Sequence, residues 1–352
     1  MLEKYIQDAS ARWMKGEGPE HEIVISSRVR LARNLHDIPY PYLAGDQDTE
    51  KVVRDVSDSI KRGAAGLKNQ QLHWMKDLTQ LDRQVMVEKH LISPLLARED
   101  RNSAVILNED ESVSIMMNEE DHIRIQCLFP GLQLDKAFEL ADQIDDLIEE
   151  SVNYAFDEEL GYLTACPTNV GTGMRASVML HLPALVLTKQ IDRVLSAIGQ
   201  VGLAVRGLYG EGSDVIGNIF QISNQITLGQ SEQDILQNLV DVTKQILEQE
   251  RQARSRLVKE SEVKVADKCG RAFGQLSHAR IISSTEAMDL LSQVRLGVDL
   301  GLIEDVDGNI LDDLLVLIRP GNLQKMSGKQ LDTSDRDIKR AEVIKQRIHM
   351  KN

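Results

Sequence analysis

SAVILNEDESVSIMMNEEDHIRIQCLF, residues 103–129, decides the fold class. It holds three runs rich in Val, Ile and Met: SAVIL (103–107), SVSIMM (112–117) and HIRIQCLF (122–129). They are separated only by NEDE and NEED, polar connections of hairpin length. Connections that short join strands antiparallel, because a parallel crossover needs a dozen or more residues. The spacing therefore predicts an antiparallel meander. In its last run Ile123, Ile125 and Cys127 share one face, and His122, Arg124 and Gln126 the other. Arg124 thus stands on a polar strand face directly after the acidic turn Glu119, Glu120, Asp121.

Upstream, EIVISSRVRL (22–31) alternates in the same way, with Arg28 and Arg30 on one face and Val29 and Leu31 on the other. Segments 49–62, 82–90 and 134–156 carry apolar residues at helical spacing. Downstream, the glycines of TACPTNVGTGMRASV (164–178) predict a turn running into a helix-like segment, as phosphate-binding loops do, although no lysine follows them. LAVRGLYG (203–210) and IGNIFQISN (217–224) read as strands, and beyond Ser231 strand patterns largely vanish. The expected fold is α+β, an antiparallel sheet flanked by helices, followed by an all-α C-terminal domain. The expected divisions are a helical segment at 1–22, a catalytic domain at 23–252 and a helical domain at 253–352.

With 352 residues, 42% of them hydrophobic, the chain has enough apolar material for a sizeable core. A net charge of -14 argues against a general binder of nucleic acid or membrane surfaces, so any anion must be captured by a local cluster of cations. Three cysteines, Cys127, Cys166 and Cys269, fit neither a disulfide framework nor a zinc knuckle. No stretch approaches the ~18 apolar residues of a membrane span. A reduced, cytoplasmic chain is expected, with no protein-held metal.

Gly171-Thr-Gly173-Met-Arg-Ala176, with Asp192 further on, imitates a dinucleotide fingerprint, but its neighbours are meander strands rather than βαβ units. The arginines carry more information. Arg28, Arg30, Arg124, Arg175 and Arg206 all occupy strand or turn positions able to converge, and guanidinium forks hold phosphate oxygens bidentately at any working pH. Glu119, Glu120 and Asp121 precede Arg124, and Glu211 follows Arg206; such acidic turns are commonly solvated, but a phosphate site made of arginines has no need of carboxylates unless a cationic substrate sits beside it. DVDGNILDD (305–313) places its glycine too early for a calcium loop and reads as a turn.

SSRVRLAR, NEEDHIR, CPTNVGTGMRASV with the following HLP, and RGLYGEGSD leading to QISN resemble, in order, the catalytic motifs of the phosphagen kinases, the ATP:guanidino phosphotransferases. The resemblance covers about the first 250 residues. It implies that Arg28, Arg30, Arg124, Arg175 and Arg206 hold the phosphates of ATP, with Ser27, Ala176, Ser177, Gly207 and Gly210 beside them. His90, in EKHLISP, resembles the family's adenine-nucleotide histidine. Glu120 and Glu211 would clamp the guanidinium, Cys166 would stand by it as a thiolate, and the glycines would let the backbone approach phosphate. Mg²⁺ would arrive with the nucleotide.

Family members acting on small guanidino compounds carry a helical domain before the SSRVR-type motif, which here begins at Ser26. That lid is expected to be missing, and a helical domain is added at the other end. The arrangement resembles the bacterial branch of the family that phosphorylates arginine on proteins within the Clp stress-response system. It implies protein substrates with exposed arginines, a Clp unfoldase, an activator protein and a transcriptional repressor of the stress regulon as partners, and a homo-oligomer. In that branch an Arg-Asp-x-x-Arg-Ala motif binds phosphoarginine, here Arg336, Asp337, Arg340 and Ala341. The two arginines stand one helical turn apart, spaced to grip phosphate, with Asp337 for the guanidinium. A kinase of free arginine and a non-catalytic adaptor are the alternatives.

Overall fold

The computed structural model describes residue 13 and residues 17–63, 70–98, 102–207, 215–304 and 306–349. Along the chain run β1 (Val24–Arg33), α1 (Asp46–Arg62), β2 (Gln71–Trp74), α2 (Gln80–Glu88), β3 (Ala104–Leu107), β4 (Val113–Met117), β5 (Ile123–Pro130) and α3 (Leu134–Glu149). Next come a small hairpin of β6 (Phe156–Asp157) and β7 (Gly161–Tyr162), then β8 (Met174–His181), α4 (Pro183–Leu187), α5 (Ile191–Gln200), β9 (Leu203–Arg206) and β10 (Ile219–Asn224). The helical remainder is α6 (Glu232–His278), α7 (Ser284–Asp299), α8 (Gly308–Leu317), α9 (Pro320–Ser327) and α10 (Thr333–Ile348).

Among the described residues the main sheet has the order β2-β3-β4-β5-β1-β8-β10-β9. Its ladders are all antiparallel, and the β3-β4-β5 meander matches the hairpin spacing of the sequence. Alternation gives the sheet two unlike faces. Val29 and Leu31, Ile123, Ile125 and Cys127, and Ala176 and Val178 point into the larger core, where α1, α3 and the first part of α6 cover them. Fully burying each of the Val, Leu and Ile side chains among these stabilises the fold by about 1.5–3 kcal/mol. The other face is shared. Leu128, Met179 and Ile219 pack under Leu291 and Leu314 of the helical domain, and Val105, Leu107 and Met116 pack under Met86 and Leu91 beside α2. Between these two covers the face is open among the described residues.

Several differences from the sequence expectations have local causes. The segment after Gly173 is a strand, not a helix: β8 pairs with β1 on one side and β10 on the other. Met, Ala and Leu favour helices in isolation, and pairing with two strands overrides that weak preference. An antiparallel central strand after the glycines also removes the dinucleotide fingerprint. The helix from Leu134 stops at Glu149, and the chain then turns back so that Tyr154 bridges Leu35, two residues beyond β1. QLHW (71–74), a short edge strand, carried no pattern of its own. The expected boundary at 252/253 falls inside α6, which is interrupted by non-helical backbone at Ser261. Of the expected 1–22 segment, only Trp13 and residues 17–22 are described. Among the described residues no helix is long and apolar enough to cross a membrane.

Candidate active site

Register assembles the site. β1 and β8 set Arg30 opposite Arg175 and Arg28 opposite Ser177, while β5 sets Gln126 opposite Arg30 and Arg124 opposite Ala32. Alternation then brings Arg28, Arg30, Arg124 and Arg175 to the open face of the sheet, and Arg206 joins from β9. They line a cavity of about 420 Å³ together with His90, Glu119, Glu120 and Cys166. One wall is the stretch from Val87 to Leu95, and the other is Cys166, Thr168 and Asn169.

Five arginines face two glutamates, and the excess charge is felt inside the cavity. Burial first, then the like charges of Arg175 and Arg124, push the Arg28 guanidinium down to about 10. Burial and the same crowding hold Arg30 well below its ordinary range. His90 is pushed down to about 3 by burial, then by Arg28, Arg319 and Arg30, so its imidazole is neutral. Arg28 Nε is buried without a hydrogen-bond partner among the described residues. Positive groups held at such a cost fit a polyanionic ligand, whose oxygens would satisfy them.

The acids are positioned by the turn between β4 and β5. Arg124 donates to Glu119 at 2.8 Å and to Glu120 at 3.0 Å. Ser93 Oγ also donates to Glu119, at 2.6 Å. The Glu119 side chain is 1% exposed and that of Glu120 37%, so Glu120 is the acid presented to an incoming group. Asp121 turns the other way. Its Oδ1 accepts from Asn34 Nδ2 at 2.6 Å and from the Ala165 N–H at 2.7 Å, tying the acidic turn to the segment that carries Cys166. Cys166 Sγ lies 3.0 Å from Thr168 Oγ1.

The other expected site residues divide. Ser177 lies on the open face beside Arg28, but Ser27 points to the opposite face, where its hydroxyl donates to Gly131 O and accepts from the Gln133 N–H. The Ala176 side chain is in the core. Gly207 is buried outside the cavity lining, while Gly210 and Glu211 lie outside the described residues. The requirement for glycine at 171 and 173 comes from the protein. Both have positive φ, and a Cβ would meet Thr227 O at 2.3 Å or Ala32 O at 2.6 Å. Residues that the sequence did not single out are Gln221, Ser93 and the members of the Val87–Leu95 wall other than His90. The wall itself had one signal, His90 within EKHLISP (88–94).

In the helical domain, Arg340 is 2% exposed and donates to Ile318 O at 3.0 Å and Ile282 O at 2.9 Å, besides pairing with Asp337. Arg336 donates to Leu331 O at 2.9 Å and to Thr333 Oγ1 at 3.2 Å. Ala341 is buried. Arg336 and Asp337 are the partly exposed members.

The model of the ATP:guanido phosphotransferase C-terminal catalytic domain matches residues 51–253. That of the protein-arginine kinase McsB C-terminal domain matches 262–352, beginning just after the break in α6. The chain is 54% identical to a protein-arginine kinase of Halothermothrix orenii over 99% of each chain. It is 52% identical to one of Bacillus subtilis over 99% of this chain and 96% of that one. A lombricine kinase shares the fold, with a TM-score of 0.59 at 22% identity over 71% of this chain and 75% of that one. With a catalytic-domain match across more than half its length and relatives this similar from end to end, the chain belongs to the ATP:guanido phosphotransferase family, within its protein-arginine kinase group.

Proposed function

We propose that the chain transfers the γ-phosphoryl group of ATP to arginine side chains of proteins. The observation that carries this is the cavity in which arginines from β1, β5, β8 and β9 stand beside Glu120 and Cys166. Phosphates would lie on the arginines of the floor, with His90 on the nucleotide side, and the acceptor guanidinium would meet Glu120. A guanidinium with pKa above ~12 is a poor nucleophile, so it must be oriented and lose a proton as it attacks. Glu120 would orient it and take part in removing that proton, with Cys166 and Glu211 beside it. A nitrogen–phosphorus bond forms, the bond from the γ-phosphorus to the bridging oxygen breaks, and ADP leaves. Arginines already fixed in place stabilise the spread charge of a loose transition state without reorganising.

Mg²⁺ would come bound to the nucleotide and neutralise part of its charge. Phosphoarginine recognition belongs to the same proposal, with Asp337 held by Arg340 and Arg336 one turn away. The Clp unfoldase, activator, repressor and second copy of the chain, and a cytoplasmic setting, are also part of it and rest on the sequence resemblance.

The test is incubation with MgATP and either an unfolded arginine-containing protein or free arginine, followed by mass spectrometry at neutral pH, since the nitrogen–phosphorus bond is acid-labile. Phosphoarginine on the protein is expected. Label on free arginine alone, or none, overturns the proposal.

A further inference from the structure

The wall of the cavity from Val87 to Leu95 is fastened to the helical domain through one carboxylate. Glu88, at the end of α2, is 6% exposed and points away from the cavity into the N-terminus of α9. Its Oε1 accepts from the Gly321 N–H at 2.7 Å, and its Oε2 accepts from the Asn322 N–H and Asn322 Nδ2, each at 2.9 Å. Gln84 Nε2 adds a bond at 3.2 Å. The first N–H groups of a helix have no partner within it, and their partial positive charge favours an anion. Glu88 supplies that anion from the other domain. At the far end of the same two helices, Lys325 donates to Asp82 at 2.8 Å.

The fit is close. A Cβ at residue 321 would meet Glu88 Oε2 at 2.9 Å and Gln84 Cγ at 3.0 Å, so an alanine there would have to shift the Glu88 side chain, although the backbone is ordinary helix. The two residues after Glu88 lead directly into the cavity. Lys89 is fully buried and paired with Glu111, and its carbonyl accepts from Trp13 Nε1. His90 takes positive φ, gives its carbonyl to Gln126 Nε2 at 2.8 Å, and lines the cavity. Arg319, just before α9, lies close enough to His90 to lower its pKa.

We propose that Glu88 is a positioning residue for the nucleotide, through which α9 of the helical domain holds the His90 wall against the arginine floor. The helical domain is then a structural member of the nucleotide site. This rests on the nucleotide reading of the cavity, and the experiment separates the two.

Glu88→Gln keeps the side chain's size but turns one acceptor into a donor facing N–H groups. Gly321→Ala attacks the same contact from the other domain while raising helix propensity. In the full chain, MgADP affinity is measured by calorimetry, and kcat and KM are measured for ATP and for an unfolded protein acceptor. Each variant is expected to weaken MgADP binding and raise the KM for ATP on the order of tenfold, within what packed networks transmit. The acceptor KM should stay near wild type, and the double variant should cost little more than either single one, since both break one contact. Unchanged MgADP affinity in a folded Gly321→Ala variant, or equal losses for ATP and acceptor, overturns the positioning role. Failure of the wild-type chain to bind MgADP overturns the nucleotide reading itself, and the positioning role with it.

Discussion

If the crowded arginines exist to hold phosphate, removing one should make the ligand-free protein more stable while ruining nucleotide binding. Arg28 is the most informative choice because its Nε is buried without a hydrogen-bond partner among the described residues. Depression of its pKa from the ordinary guanidinium range to about 10 corresponds to a penalty of about 3 kcal/mol on the charged form. Burial is the larger cause, and repulsion from Arg175 and Arg124 adds to it. The side chain retains some exposure in the cavity, so solvent screening reduces the recoverable part to about 1–2 kcal/mol. Arg28→Met keeps much of the volume and removes the charge. Its urea-unfolding free energy without ligand should exceed that of wild type by that amount. Saturating MgADP at about a hundred times its Kd should stabilise wild type by a further ~2.7 kcal/mol, and the variant by much less. A ligand-free variant less stable than wild type refutes the reasoning, as does a variant that keeps the full MgADP increment.

Glu120→Gln should abolish phosphoryl transfer while sparing MgADP affinity, whereas Glu119→Gln, in the buried network with Ser93 and Arg124, should instead lower stability by about 1–3 kcal/mol; parallel loss of nucleotide affinity in Glu120→Gln would contradict this. His90 is held neutral in the folded chain, with a pKa of about 3 against 6.5 when unfolded, so the unfolded chain takes up the proton first. Its contribution to stability is complete above about pH 6.5 and is lost toward pH 3 at up to about 1.4 kcal/mol per pH unit. His90→Asn, which tolerates the positive φ, should therefore show a shallower fall in urea midpoint between pH 6.5 and 5, and an unchanged slope would refute it. Asp337→Ala should weaken binding of free phosphoarginine by the full-length chain, read by calorimetry, on the order of tenfold or more; equal affinity would remove Asp337 from recognition.

The meander and the arginine faces were legible because strand alternation is a local rule. Three apolar runs with short polar turns specify antiparallel neighbours, and Arg28, Arg30 and Arg124 follow from the two-residue period. Arg175 was legible as a charge beside glycines but not as a strand residue. Its strand is defined by β1 and β10, which lie far away in sequence, and single-segment propensity does not contain that information. The same limit explains Glu88. In sequence it is one more acid on a helix with a solvated look, and its function appears only when residues 321 and 322 arrive from the other domain.

Arg336 and Arg340 show how far identical chemistry one helical turn apart can diverge. Sequence spacing makes them an equivalent pair for gripping phosphate, yet tertiary packing separates their tasks. Arg340 is enclosed by Ile318 O, Ile282 O and Asp337, so its charge is spent on carbonyls at two helix ends and on fixing one carboxylate. Removing a buried cation with that many partners would leave several acceptors unsatisfied, which costs more than a lost surface charge. Asp337 is paired with Arg340 and stays partly exposed, as does Arg336 next to it. The carbonyl that Arg340 holds belongs to Ile318, the residue before Arg319, and α9 begins at Pro320 with Gly321 and Asn322 on Glu88. The turn from 318 to 322 is therefore gripped from one side by the Arg-Asp-x-x-Arg-Ala helix and from the other by the wall of the arginine cavity. The motif helix and the cavity wall, far apart in sequence, are thus tied to one short stretch of backbone, on the sheet face where Leu128, Met179 and Ile219 pack against the helical domain.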